Sequence, residues 1–519
     1  MRLETIEMDE SNCFSSSFLD YIKKNKKLSP FYNLTPNIES FEQQIKSTQF
    51  PKERRTTIVN ILKQQYSDFT ISDNTAQNID SIENEKTFTV VTGHQLNIFT
   101  GPLYFIYKIV TVINTCTQLK KKYPQYNFVP VYWMATEDHD FEEISHFRLD
   151  GEKYHWRTDQ KGAVGRFDPH SLKEILDKLP GQNDVFEKAY LEHETLADAV
   201  RYYVNELFGS EGLVVIDADD KALKQSFVSV IKDDVINNST KSLVENTNGE
   251  LKKLGYPTQV FARDINFFYI DGDLRSRIVK ENGKYTVLDT DLAFTEDEII
   301  TQIETSPEKF SPNVILRPLY QEWVLPNLAY VGGPSEVVYW LQLKEVFESH
   351  NTPFPILMPR NFGLVVSKND KRKIDKLNFD MKKWFLPTQV LIQHYVSKQS
   401  NNDLSYKNKI TEIKNIYNQA KEQASVVDVT LLQHLEALQT KTTNLLEKAE
   451  KKLLRAEKRH HDTKIKQIEG VKNKLFPNDN LQERTDNFLN FYQDNPQFIK
   501  DLIQQFDPFN YKFHVLLEE

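Results

Sequence analysis

Cysteine is almost missing from this chain: its 519 residues contain only Cys13 and Cys116, with no C-x-x-C pair. That excludes a disulfide framework and a cysteine zinc site, and fits a reducing cytoplasm. No apolar run is long enough to span a membrane. The opening MRLETIEMDESN lacks the apolar centre of a signal peptide, so a cytoplasmic protein with no membrane attachment is expected. A basic excess is also lacking. The net charge of -9 argues against general attraction to nucleic acid and makes such a partner unexpected, though a local basic patch stays open. Neither G-x-G-x-x-G nor G-x-x-x-x-G-K-[ST] occurs, nor G-x-S-x-G, nor H-E-x-x-H. The familiar dinucleotide, P-loop, hydrolase-elbow and zinc-protease signatures are therefore set aside.

What is present starts with Thr87–Tyr107, TFTVVTGHQLNIFTGPLYFIY. The uncharged, β-branched Thr87–Thr92 reads as a strand buried on both faces. Gly93 breaks it, and Thr100 is placed to cap a following helix with Pro102 in its first turn. Such a junction presents N–H groups and a favourable dipole to a phosphate or carboxylate, with His94, Gln95 and Asn97 at its mouth; an ordinary helix start is the alternative. A second buried strand, Phe128–Thr136, closes a βαβ unit and runs into Glu137, Asp138, His139 and Asp140. Acids beside an imidazole at a strand's carboxyl end suit general acid/base work, magnesium, or a grip on an amine or ribose hydroxyls. A solvated acidic turn competes with that.

Residues 1–86 read as mainly helical, 146–210 as an insertion, Gly212–Asp217 as another buried strand, and Asn282-Gly283 as a hairpin turn. In Asn313–Phe347 a short strand, Leu328–Val331, meets Gly332-Gly333-Pro334. A helix begins at Ser335 or Glu336 and carries Tyr339 and Trp340. This is a second anion-receptive turn, unless the glycines serve helix packing alone. Pro355–Val366 reads as a last strand with Arg360 near its end, able to clamp a carboxylate or to pair with an acidic neighbour. From about 376 the apolar spacing alternates threes and fours through Ile410–Val427 and Leu431–Ala449, a helical hairpin with Asp428 as N-cap. Ile465, Ile468 and Leu475 extend its second arm. After Phe476-Pro477 the tail, with Arg484, is expected to dock back on the sheet domain.

The blocks TGHQLNIFTGPLYFIYK, PVYWMATEDHDFEEI, LRPLYQEWVLPNLAYVGGPSEVVYWLQLK and LFPNDNLQER, together with the hairpin, resemble the cysteine-adding enzymes of bacillithiol biosynthesis, the BshC family, over nearly the whole chain. The resemblance implies an α/β fold: a Rossmann-like doubly wound parallel sheet like the class I aminoacyl-tRNA synthetase core, with connective insertions and a coiled coil that supports a homodimer. The domains would then be a core at 1–375 with insertions at about 146–210 and 230–310, a coiled coil at 376–476, and a returning segment at 477–519. It implies a ligase that joins cysteine to the amine of glucosaminyl-malate. Gly93, His94 and Gln95 would hold phosphate or carboxylate with Asn97, Thr100 and Gly101. Glu137, Asp138, His139 and Asp140 would hold or deprotonate the amine, close to Trp133. Gly332, Gly333, Glu336 and Tyr339 would wall the pocket, with Arg317 and Arg360 as carboxylate clamps. Forming an amide from a free carboxylate needs activation, so transfer from an adenylate or phosphate is expected, with ATP or ADP and Mg as the candidate cofactors, although Ser367–Lys373 is a weak counterpart of a synthetase's second signature loop. A nucleotide-binding scaffold with a dimerising coiled coil is the alternative.

Overall fold

The computed structural model describes residues 1–181, 183–400 and 404–518, so parts of the expected 376–476 and 477–519 segments, residues 401–403 and 519, lie outside the described residues. The chain forms two compact units. One comprises Met1–Leu364 with Gln482–Leu516, the other Val365–Leu481 with Leu517–Glu519.

The first unit is organised on a parallel sheet of β1 (Thr87–His94), β2 (Asn127–Met134), β3 (Val214–Asp217), β4 (Asn327–Gly332) and β5 (Ile356–Pro359), in spatial order β5-β4-β1-β2-β3. Every residue of β1 is buried, which explains its uninterrupted apolar and threonine composition. Helix α1 (Tyr104–Lys122) packs Val112, Cys116 and Leu119 against Phe88, Val90, Leu328 and Ile356 of the sheet. The order reverses between β1 and β4, because the chain lays β2 and β3 on one side and returns to build β4 and β5 on the other. Doubly wound sheets bind ligands at such a switch point, outside the carboxyl ends of the strands.

An antiparallel meander of Phe267–Asp271, Leu274–Glu281, Lys284–Val287 and Ala293–Phe294, with Phe310–Pro312 pairing along Phe267–Asp271, fills the region before β4. Its Asn282-Gly283 turn has φ of 51° and 78°, the two positive values a tight right-twisted hairpin needs.

Residues 1–86 are mainly helical, with a strand added at Arg2–Glu7. Two local expectations are corrected. Pro355–Val366 is two strands: β5 lies in the parallel sheet, while Phe362–Val366 belongs to a separate three-stranded sheet with Arg2–Glu7 and Lys512–Leu517. Arg360 sits at the break. Thr100 does not cap α1; it has φ of 69°, and the helix starts from Leu103.

In the second unit, Lys407–Val427 and Leu431–His460 form a helical hairpin tied by Tyr417 to Thr442 (2.9 Å) and by Lys421 donating to Gln439 (2.7 Å). Neither helix contains a buried residue. The N-cap position is Thr430 rather than Asp428, whose carboxylate accepts from Thr430 N–H and so fixes the turn. The second arm breaks at His461, after which Asp462–Leu475 buries Ile465, Ile468 and Leu475. Ser367–Lys373 is no loop: Ser367 caps a helix, Lys368–Leu377. Among the described residues no helix is long and apolar enough to cross a membrane.

Candidate active site at the sheet switch point

A cavity of about 430 Å³ opens at the carboxyl ends of β1, β2 and β4. Of the residues singled out from the sequence, Gly93, His94, Gln95, Trp133, Glu137, Asp138, Arg317, Gly333, Glu336, Tyr339 and Arg360 line it. Asn97, Thr100, Gly101, His139, Asp140 and Gly332 do not.

The residues left out form supporting structure. Gly101 has φ 61° and ψ -138°, a glycine conformation, and a Cβ there would stand 2.5 Å from the Asn97 Cβ. Asn97 donates to the Glu143 carbonyl (3.0 Å), and Asn487 donates to the carbonyls of Phe99 and Gly101 (2.7 and 2.6 Å). These bonds hold the turn that sets where α1 begins, although Asn97 Oδ1 and Thr100 Oγ1 are left without a protein partner. Gly93 has a different reason to lack a side chain: a Cβ would lie 3.4 Å from the Arg317 guanidinium and 3.5 Å from the Tyr330 hydroxyl. Anything longer than alanine would fill the cavity.

The second glycine turn is already occupied. Glu336, at the third position of α3 (Pro334–Trp340), accepts from Gly333 N–H (2.7 Å), Tyr330 hydroxyl (2.5 Å) and Lys108 Nζ (2.6 Å). Burial opposes ionisation of Glu336, but the Lys108 charge and these donors hold its carboxyl well below the usual range. Lys108 also donates to the Gly93 carbonyl (2.8 Å), so one buried ammonium joins the two glycine turns. His94 stacks on Phe105 at 5.2 Å. Burial and the neighbouring Lys108 charge push it well below its usual value, so it is a neutral imidazole whose Nε2 has no protein partner.

Beyond β2 the acids diverge. Glu137 pairs with the buried Lys224; burial raises its carboxyl, Lys224 opposes that, nearby Asp219 adds to it, and the result is about 7. Asp138 goes the other way. Despite burial, His139, Arg275 and the Gln95 amide (2.6 Å) keep it well below a normal aspartate. His139 is half-exposed, and its Nδ1 is 2.5 Å from the Arg275 guanidinium, which can only donate.

Four arginines reach the cavity, and one of them, Arg275, is paired with Asp138 (3.4 Å). Arg360 spends its terminal nitrogens on Glu483 (2.6 Å) and the Asn361 carbonyl (2.9 Å), which leaves only Nε without a partner. Arg317 donates to Gln321 (3.1 Å), and Arg484 stands 5.8 Å from the Tyr104 ring; neither has a carboxylate partner among the described residues. Lys108, Arg275, Tyr104 and Tyr330 lie outside the glycine loops in the sequence and were not singled out. Lys108 had a legible signal, a lone lysine in the apolar stretch Leu103–Ile113.

The family model described as "Bacillithiol biosynthesis BshC, N-terminal Rossmann-like domain" matches residues 1–361, and the model for the "C-terminal coiled-coil domain" matches 363–518. Proteins named "Putative cysteine ligase BshC" are similar throughout. That of Flavobacterium psychrophilum is 43% identical over 99% of each chain. Flavobacterium johnsoniae has one 41% identical over 99% of this chain and 100% of its own, and Cytophaga hutchinsonii one 39% identical over 100% and 99%. A solved structure named "putative arginyl t-RNA synthetase" from Campylobacter jejuni covers 83% of this chain at 11% identity, with a TM-score of 0.22, too low to establish a common fold. Both halves match their domain models, and full-length relatives align end to end: the chain belongs to the BshC family of bacillithiol biosynthesis.

Proposed function

We propose that the protein is a cytoplasmic ligase that forms the amide between the cysteine carboxyl and the amine of glucosaminyl-malate, giving bacillithiol. One observation carries the assignment of the site. A single cavity at the switch point holds two guanidinium groups free of carboxylates, Arg317 and Arg484, together with the carboxylates Glu137 and Asp138. Cysteine and glucosaminyl-malate carry carboxylates and amines, and this polarity suits both.

Arg317 and Arg484 bind substrate carboxylates. Asp138, held ionised, grips the incoming ammonium; Glu137, with a carboxyl near 7, accepts the proton that the amine must lose before it attacks. Neutral His94 offers its Nε2 to a phosphate or carboxylate oxygen, and Lys108 with Glu336 fixes the two loops. Amide formation from a free carboxylate needs activation, and bound ATP would supply it by making the carboxyl oxygen a good leaving group. The unpartnered His94 Nε2 and Arg360 Nε along the cavity fit such an anion. Among the described residues no three His, Cys, Asp or Glu converge as metal ligands, so magnesium would be held mainly by phosphate oxygens and water. The exposed hairpin face, with Ile416 at 61% and Leu445 at 58% exposure, supports a homodimer through the coiled coil.

The test is mass spectrometry of the purified protein with glucosaminyl-malate, cysteine, ATP and magnesium. Bacillithiol should appear along with a nucleotide product that identifies the activation step. Folded protein that yields no thiol product, alone or with extract from bacillithiol-producing cells lacking their own relative of this chain, would overturn the assignment.

A further inference from the structure

A second cavity of about 560 Å³ opens at the other edge of the sheet, by the amino ends of β4 and β5. Its floor includes Glu322, from α2 (Arg317–Val324), only 6% exposed. Glu322 Oε1 accepts from the Gln321 amide (2.8 Å) and the Asn327 amide (2.7 Å). The Gln321 amide orientation is fixed by Arg317, which can only donate to its oxygen (3.1 Å), and the Thr89 hydroxyl donates to the Asn327 oxygen (3.2 Å). Oε1 is therefore committed twice over, and Oε2 has no protein donor among the described residues.

The same cavity holds a cation with no anion. Arg54 lies 3.8 Å over the Trp323 ring and donates only to the Trp323 carbonyl (3.2 Å), with no carboxylate partner among the described residues. Phe50, Pro51, Leu325 and Pro353 supply apolar wall. Arg54 supplies a fixed positive charge and Glu322 a negative one once it ionises, so a ligand carrying both a carboxylate and an ammonium matches the cavity at both ends. We propose that this cavity binds a free α-amino acid with an apolar side chain, its ammonium on Glu322, its carboxylate on Arg54 and its side chain against Trp323 and Leu325.

The chemistry at Glu322 follows. Burial raises its carboxyl to about 8; the two amides and Arg317 pull the other way without winning. Arg54 and His350, which burial keeps neutral and which lies 3.8 Å from Asp233, are the other titratable groups at the cavity. Near neutral pH Glu322 is protonated, and its proton sits on Oε2. An arriving ammonium ion favours the carboxylate, so that proton leaves to solvent as the ion pair forms.

The site is tested without turnover, by calorimetric titration of the full-length protein at neutral pH with L-leucine, L-methionine and L-phenylalanine, in two buffers of different ionisation heat. At least one should bind one per chain and release up to about one proton. Arg54→Met, at a half-exposed position that keeps the fold, should weaken binding about tenfold or more, and the nearly isosteric Glu322→Gln should abolish proton release. Isopentylamine and isocaproate, which each lack one charged end of leucine, should bind about tenfold more weakly. No binding by any of the three amino acids, binding unchanged in Arg54→Met, or equal binding of isopentylamine would overturn the proposal. Product formation in the switch-point cavity is scored separately and is untouched by any of these results.

Discussion

Glu137 and Asp138 are adjacent, yet their acidities are driven apart. Glu137 is raised by burial and by a neighbouring acid, and Asp138 is lowered by a guanidinium and amide donors. Neighbouring carboxyls tuned in opposite directions mark acid/base sites. As a base, Glu137 must be ionised, so product formation should rise with pH through about 7, and Glu137→Gln should remove that limb along with about 10²–10⁴-fold of rate. His94→Ala and Asp138→Ala should each abolish activity with an unchanged circular dichroism spectrum. More than half of normal activity in both would remove these assignments. Asp486, raised to about 7 by burial and by Asp150, predicts a stability effect. Its folded value exceeds the unfolded one, so the folded state holds the extra proton and loses stability as pH rises from about 4 to 7. Asp486→Asn should flatten that slope and stabilise the protein above pH 7 by about 2 kcal/mol in denaturant titrations. The glycine loops and the acidic run were legible as candidate site residues because each is continuous in sequence. Arg275 and Arg484 were not, since only tertiary folding brings them to the cavity.

The elements that could be read from sequence are those whose burial is uniform. β1 and β2 are covered on both faces, so their apolar runs are unbroken. Pro355–Val366 looks equally continuous, but the chain changes sheets at Arg360 and Asn361, a turn no periodicity records because both halves are buried. The Arg2–Glu7 strand hides for the opposite reason: mostly unburied, it carries little apolar pattern. At α1 the decisive element is the turn before it. Gly101→Ala would force a side chain into a glycine backbone region and against Asn97, so a loss of about 1–3 kcal/mol in thermal unfolding is expected. Because that turn sets the start of α1, which carries Tyr104 and Lys108, activity should fall further than stability alone accounts for.

For the whole molecule, the hairpin's spacing was plain in the sequence, and the structure adds that neither helix buries a residue within its own chain. Leu445→Asp should therefore convert a dimer to monomers by light scattering while the hairpin stays helical. An unchanged mass would place the dimer contact elsewhere or remove it. The core unit also has a history written into its connectivity. Gln482–Leu516 rejoins it only after the whole helical excursion, and brings both Arg484 for the cavity and Glu483, the buried partner of Arg360. A nascent chain released from the ribosome as far as Leu364 possesses every strand of the parallel sheet, but holds Arg360 with no counter-ion and a cavity short of one cation. Synthesis of more than a hundred further residues must finish before the pocket is complete, so a ribosome that stalls within the helical region yields a sheet without a working site.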